Sequence, residues 1–102
     1  MTERKFKRIK ITALSKINHA GCSVINISKE GMMLYGNLNS NDQSCDIQLK
    51  ISGKWLDLKG KIIWTLDGPK PNLKHIGIYI IDAPTEYQEF IDNLYLEVDE
   101  KS

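Results

Sequence analysis

Apolar and polar residues alternate with a period of two along most of the chain, the pattern of half-buried β-strands. Ile9, Ile11 and Ala13 alternate with Lys10 and Thr12, which predicts a first strand there. Cys22, Val24 and Asn26 share one face, with Ser23, Ile25 and Ile27 on the other, so both faces are largely apolar. A short run from Met32 to Tyr35 lies between Gly31 and Gly36, and its alternation assigns Met32, Met33 and Tyr35 to a core. Ile47, Leu49 and Ile51 alternate with Gln48 and Lys50. Leu56, Leu58, Gly60, Ile62 and Trp64 form a long row expected to face inward, with Asp57, Lys59 and Lys61 facing out. Ile76, Ile78 and Ile80 repeat the device. Ser52-Gly53-Lys54 suits a tight hairpin turn, while Asn37–Ser44 and Asp67–Asn72 read as loops.

Only the C-terminal segment changes period. Tyr87, Phe90, Ile91, Leu94, Tyr95 and Val98 fall on one stripe of a helix. Pro84 ends the preceding strand, and Thr85-x-x-Gln88 has the form of a capping box. Six short strands leave no room for parallel crossovers. They imply an all-β fold, a six-stranded antiparallel β-barrel with a C-terminal α-helix over one side or mouth.

A length of 102 residues with 41% hydrophobic content suffices for one domain with one small core. No apolar run approaches membrane-spanning length, and the basic N-terminus lacks the apolar stretch of a secretory signal. Cys22 and Cys45 form no C-x-x-C, which argues against a disulfide framework or a zinc pattern and suits a reducing cytoplasm. The net charge of +1 conceals segregation. Arg4, Lys5, Lys7, Arg8 and Lys10 against Glu3 leave the first ten residues at +4. Glu86, Glu89, Asp92, Glu97, Asp99 and Glu100 against Lys101 leave the last seventeen at −5. A basic end points to an anionic partner.

Catalysis finds little support. His19 and His75 lie far apart with no ligand spacing around either, and no nucleophile-elbow or phosphate-loop signature occurs. A binding module with no metal and no cofactor is the expectation. Two features rise above this background. Arg4-Lys5-Phe6-Lys7-Arg8 places two guanidinium forks, suited to phosphate oxygens and the N7/O6 edge of guanine, ahead of the first strand. Asn26-Ile27-Ser28-Lys29-Glu30-Gly31 closes one strand and opens the next, presenting an amide, a hydroxyl and a turn backbone at the barrel rim. If that turn needs positive φ, Gly31 supplies it.

In this order and on this scaffold, the two features resemble the PilZ domain family, bacterial receptor modules for cyclic di-GMP. That family carries R-x-x-x-R and, about twenty residues on, [D/N]-x-S-x-x-G; here Arg8 and Asn26 are 18 positions apart. Gly31-Met32-Met33-Leu34, Gly60-Lys61-Ile62-Ile63-Trp64 and Gly77-Ile78-Tyr79-Ile80 extend the resemblance across Arg4 to Leu96. It implies a basic ligand-gripping segment at residues 1–8 ahead of a barrel-plus-helix domain at 9–102. Arg4 and Arg8, with Lys5 as an auxiliary, would hold phosphates and guanine edges. Asn26, Ser28 and Gly31 would cradle a guanine and its neighbouring phosphate. Asn26 stands where Asp is commoner, which keeps an acceptor and removes a charge. Output would pass to an effector protein.

Two other readings compete: an adaptor of the same fold that binds no nucleotide, and a small barrel for RNA or single strands. The intact motifs oppose the first. The second needs aromatic platforms interleaved with basic residues. Phe6 is the sole aromatic in the basic end, while Trp55, Trp64 and Tyr79 lie in segments without comparable basic clustering, so nucleic acid is not an expected partner.

Overall fold

Six strands and a helix follow in chain order: β1 (Leu14–Ile17), β2 (Ala20–Ile27), β3 (Gly31–Asn37), β4 (Ser44–Ile51), β5 (Lys54–Asp67), β6 (Leu73–Asp82) and α1 (Thr85–Lys101). The computed structural model describes residues 9–11, 13–38, 43–70 and 72–101, with side chains to residue 96. Arg4, Lys5, Arg8 and the side chain of Val98 lie outside the described residues. Every strand pairing is antiparallel, and the order β1-β2-β3-β6-β5-β4 closes into a barrel through β1 and β4. The expected six-stranded barrel with its C-terminal helix is therefore present. Its long β5 serves two neighbours, pairing with β4 from Lys54 to Lys61 and with β6 from Lys59 to Asp67.

The inward rows fill the barrel with branched aliphatics. Ile27, Leu34, Ile47, Leu49 and Ile76 are wholly excluded from solvent, and each such side chain contributes about 1.5–3 kcal/mol relative to exposure. α1 begins at Thr85, where the Tyr87 amide donates to the Pro84 carbonyl at 3.0 Å. It adds Tyr87 and Ile91 to the same core, with Phe90, Leu94 and Tyr95 packed against it.

The structure corrects the period-two reading in three places. The first strand is Leu14–Ile17, whereas Ile9 forms an isolated bridge with Ile27. Alternation does not reveal β1 because one inward position is a serine; Ser15 is buried there with its hydroxyl donating to the Cys22 carbonyl at 2.8 Å. Its turn into β2 is the pair Asn18-His19, both at positive φ (49° and 71°), as a two-residue hairpin demands. Second, only even-numbered β3 residues face inward: Met32 and Leu34 are buried, while Met33 and Tyr35 are half-buried on the outer side. Tyr35 packs there against the His75 ring, with centroids 4.8 Å apart.

Third, three register shifts interrupt the regular pairing, and two of them fall beside Asn26 and Trp64. Val24 pairs with inward Leu34, but after a shift in register Asn26 pairs with outward Met33. Likewise Ile62 pairs with inward Ile78, and after a second shift Trp64 pairs with Gly77. An extra residue in one strand reverses the side that the next residues face. Trp64 is thereby taken off the inward row to which strict alternation assigns it, and Asn26 off the face it would share with Val24.

Candidate functional site

The segment joining β2 to β3 is built by its own serine and glycine. The Ser28 amide donates to the Gly31 carbonyl at 2.7 Å, and the Ser28 hydroxyl donates to that same carbonyl at 3.0 Å. The Gly31 amide in turn donates to the Ser28 hydroxyl at 3.1 Å. Ser28 is only 3% exposed, so its hydroxyl acts by shaping the turn. Gly31 is not in the left-handed region, contrary to one expectation for it. A Cβ there would lie 2.6 Å from the Ile78 carbonyl oxygen, so the glycine is required by the close approach of β6.

Neighbouring elements secure the same turn. Tyr87 of α1, completely buried, donates its hydroxyl to the Ser28 carbonyl at 2.8 Å. Burial pushes the Tyr87 phenol far above its usual pKa, with Tyr95 adding to the effect, so it remains a neutral donor. The Lys29 amide donates to the Tyr95 hydroxyl at 3.1 Å, and the Lys29 ammonium pairs with Asp92 at 3.0 Å. From β6, the Ile80 amide donates to the Glu30 carbonyl at 2.8 Å.

Beside this turn, the Asn26 side-chain oxygen is buried with no hydrogen-bond partner among the described residues. Leaving a buried acceptor unsatisfied costs about 1–3 kcal/mol, so such a group marks a place where a donor belongs. Strand register sets Asn26, Met33, Gly77 and Trp64 in one lateral row across β2, β3, β6 and β5. The Trp64 indole lies so close over Gly77 that any Cβ there would collide with it. Trp64 nevertheless stays 38% exposed, leaving part of a flat apolar ring open in the same row as the amide.

The chain enters this region through Ile9, the residue that follows Arg8. The Ile9 amide donates to the Ile27 carbonyl at 2.8 Å, and the Ile27 amide donates back at 2.9 Å. Ile9 is thus held at the end of β2, at the residue between Asn26 and Ser28. Of the residues singled out from the sequence, Asn26, Ser28 and Gly31 meet at one turn.

Trp64, Tyr87 and Tyr95 were not singled out as functional. A shifted register hid the first, and the two tyrosines read simply as part of an apolar helical stripe.

Other chemistry-bearing groups stand apart. No cluster of His, Cys, Asp or Glu suited to a metal ion occurs among the described residues. Both cysteines are free, and burial, with a smaller contribution from the Asp46 charge, pushes the Cys45 thiol up to about 11. Trp55 does have basic company in space: Lys16 and Lys50 lie 5.1 and 5.9 Å from its ring centroid, contacts that linear clustering cannot reveal. No helix among the described residues is long and apolar enough to cross a membrane.

Comparison with known proteins places this geometry in context. In structure the chain is similar to the Bacillus subtilis inhibitor of motility, MotI/DgrA, with a TM-score of 0.76 at 11% sequence identity. That alignment covers 100% of this chain and 53% of the other, so the chain spans about half the length of its neighbour. No curated protein matches the sequence. The PilZ domain family profile matches residues 2–97, nearly the whole chain. The chain belongs to the PilZ domain family.

Proposed function

We propose that this chain is a cyclic di-GMP receptor that couples the bound messenger to an effector protein in the bacterial cytoplasm, without catalysing a reaction. The observation that carries the reading is the buried, unpartnered Asn26 oxygen beside the Ser28–Gly31 turn. Guanine offers N–H donors that satisfy such an acceptor. Ser28 and Gly31 contribute through the shape of the turn, which allows a base to approach the backbone closely. Trp64 supplies an apolar face in the same row, where stacking a base is worth about 1–3 kcal/mol. Arg4 and Arg8 supply the guanidinium forks for phosphates and guanine edges, with Lys5 as an added positive charge. The Ile9–Ile27 bridge supports this role, since it fixes the residue after Arg8 to β2 beside Asn26.

Calorimetric titration with cyclic di-GMP, cyclic di-AMP and single-stranded RNA tests the reading. Cyclic di-GMP should bind best, and Arg8→Ala should weaken it at least about tenfold with the melting temperature unchanged. A charged hydrogen bond contributes about 1.5–3 kcal/mol, and about 1.4 kcal/mol is a factor of ten. Absence of binding to the unaltered protein would overturn the receptor reading. Unchanged affinity in Arg8→Ala would remove the arginine from the site.

A further inference from the structure

We propose that α1 holds the Ser28–Gly31 turn in its ligand-ready geometry, with Tyr87 as the principal positioning residue, and that ligand binding in return tightens the docking of α1. This rests on the cyclic di-GMP reading and goes beyond it by assigning a role to the helix. Three side chains of α1 reach two consecutive residues of the turn. Tyr87 holds the Ser28 carbonyl, Tyr95 receives the Lys29 amide, and Asp92 pairs with the Lys29 ammonium. These contacts span 59 residues between Ser28 and Tyr87 and 66 between Lys29 and Tyr95, so no local turn preference supplies them. The residue whose carbonyl Tyr87 holds is also the one whose amide and hydroxyl fix Gly31. Moving α1 away would release both ends of that small network together.

Ordering backbone residues on binding costs conformational entropy. A turn already fixed by α1 spares the ligand that cost, whereas a loosened turn binds in proportion to its competent fraction. Coupling of this kind is reciprocal: whatever α1 adds to ligand affinity, ligand adds to the docking of α1. An effector that contacts α1 could therefore sense occupancy of a site it does not touch.

Amide hydrogen exchange and calorimetry on the full chain, with and without cyclic di-GMP, test the coupling in Tyr87→Phe and Tyr95→Phe. Each variant removes a hydroxyl and keeps the ring. Without ligand, Tyr87→Phe should speed exchange at Ser28, Lys29 and Gly31 while Leu49 and Leu56 in β4 and β5 keep their rates. Its affinity should fall about fivefold, the factor carried by a hydrogen bond of about 1 kcal/mol. In the unaltered protein, cyclic di-GMP should slow exchange along α1, and in Tyr87→Phe that slowing should shrink.

A role in packing alone would raise exchange throughout the barrel and leave the ligand-induced slowing of α1 intact. That pattern would overturn the proposal. Binding by the unaltered protein with equal affinity in both variants would overturn the coupling alone. No binding by the unaltered protein would overturn the receptor reading and the coupling with it. Should Tyr87→Phe fail to fold, Tyr95→Phe decides the question, because its ring is only partly buried.

Discussion

The β2–β3 and β4–β5 turns each reverse an antiparallel pair and each reach α1, yet different forces hold them. In the β4–β5 turn, Ser52 and Gly53 adopt positive φ (52° and 78°), and a Cβ on Gly53 would meet nothing within 4 Å. Its conformation is local. Its link to the helix is an exposed ion pair between Lys54 and Glu86 at 3.0 Å. The β2–β3 turn has no left-handed glycine; Gly31 instead abuts the Ile78 carbonyl, and the buried Tyr87 reaches in from the helix. The β4–β5 turn is specified by its two positive-φ residues. The β2–β3 turn adds long-range contacts from α1 and β6 to its own Ser28–Gly31 bonds, which makes it the one able to respond to the rest of the molecule.

The contrast breaks most visibly at the two glycines. Gly31→Val should cost about 3 kcal/mol, the upper end for overpacking, because the obstacle is backbone. Urea denaturation measures it, and an unchanged midpoint would mean that β6 yields easily. Gly53→Ala should cost about 1 kcal/mol through left-handed strain alone and leave cyclic di-GMP affinity unchanged, since there is open space for the methyl group. If Gly53→Ala weakened ligand binding, the two turns would not be independent.

Smallest is the effect of acid on the Lys54–Glu86 pair. The hydrogen bond from Lys54 holds the Glu86 carboxyl below its usual range, assisted by a backbone hydrogen bond and the Lys54 charge. A carboxyl depressed by folding stabilises the fold above its unfolded pKa, about 4.3, and loses that contribution as pH falls through the folded value. Both side chains are exposed, so solvent screens the pair. Thermal melts of the unaltered protein and Glu86→Gln should differ slightly at pH 7 and converge in strong acid. A gap that widened in acid would reverse the assigned sign.

The same division explains what the amino-acid sequence made legible. Alternation identified the core wherever strands run regularly, as at Ile47 and Leu49 or Ile76 and Ile78. It failed at Trp64 and grouped Asn26 with Val24, because one extra residue between regular pairings reverses sidedness without an apolar signal. The motif spacing brought out Asn26, Ser28 and Gly31 but did not distinguish what each does. Only the folded structure reveals that Ser28 spends its hydroxyl on Gly31, that Gly31 makes room for β6, and that the Asn26 oxygen has no partner among the described residues. Tyr87 and Tyr95 were legible as a packing stripe; their hydroxyl contacts depend on the docking of α1 against a turn far away in sequence.

Closure of the sheet also limits how another protein can attach. A sheet with a free edge can recruit a peptide as an additional strand through main-chain hydrogen bonds. Here β1 and β4 close the barrel by pairing with each other, through Ser15–Leu49, Lys16–Gln48 and Ile17–Ile47. At this seam a protein partner would meet side chains of the outer wall rather than a free strand edge. The seam itself is only three residue pairs long. Loss of that seam would turn a barrel into an open sheet with two unpaired borders, the form most prone to stacking with its own copies.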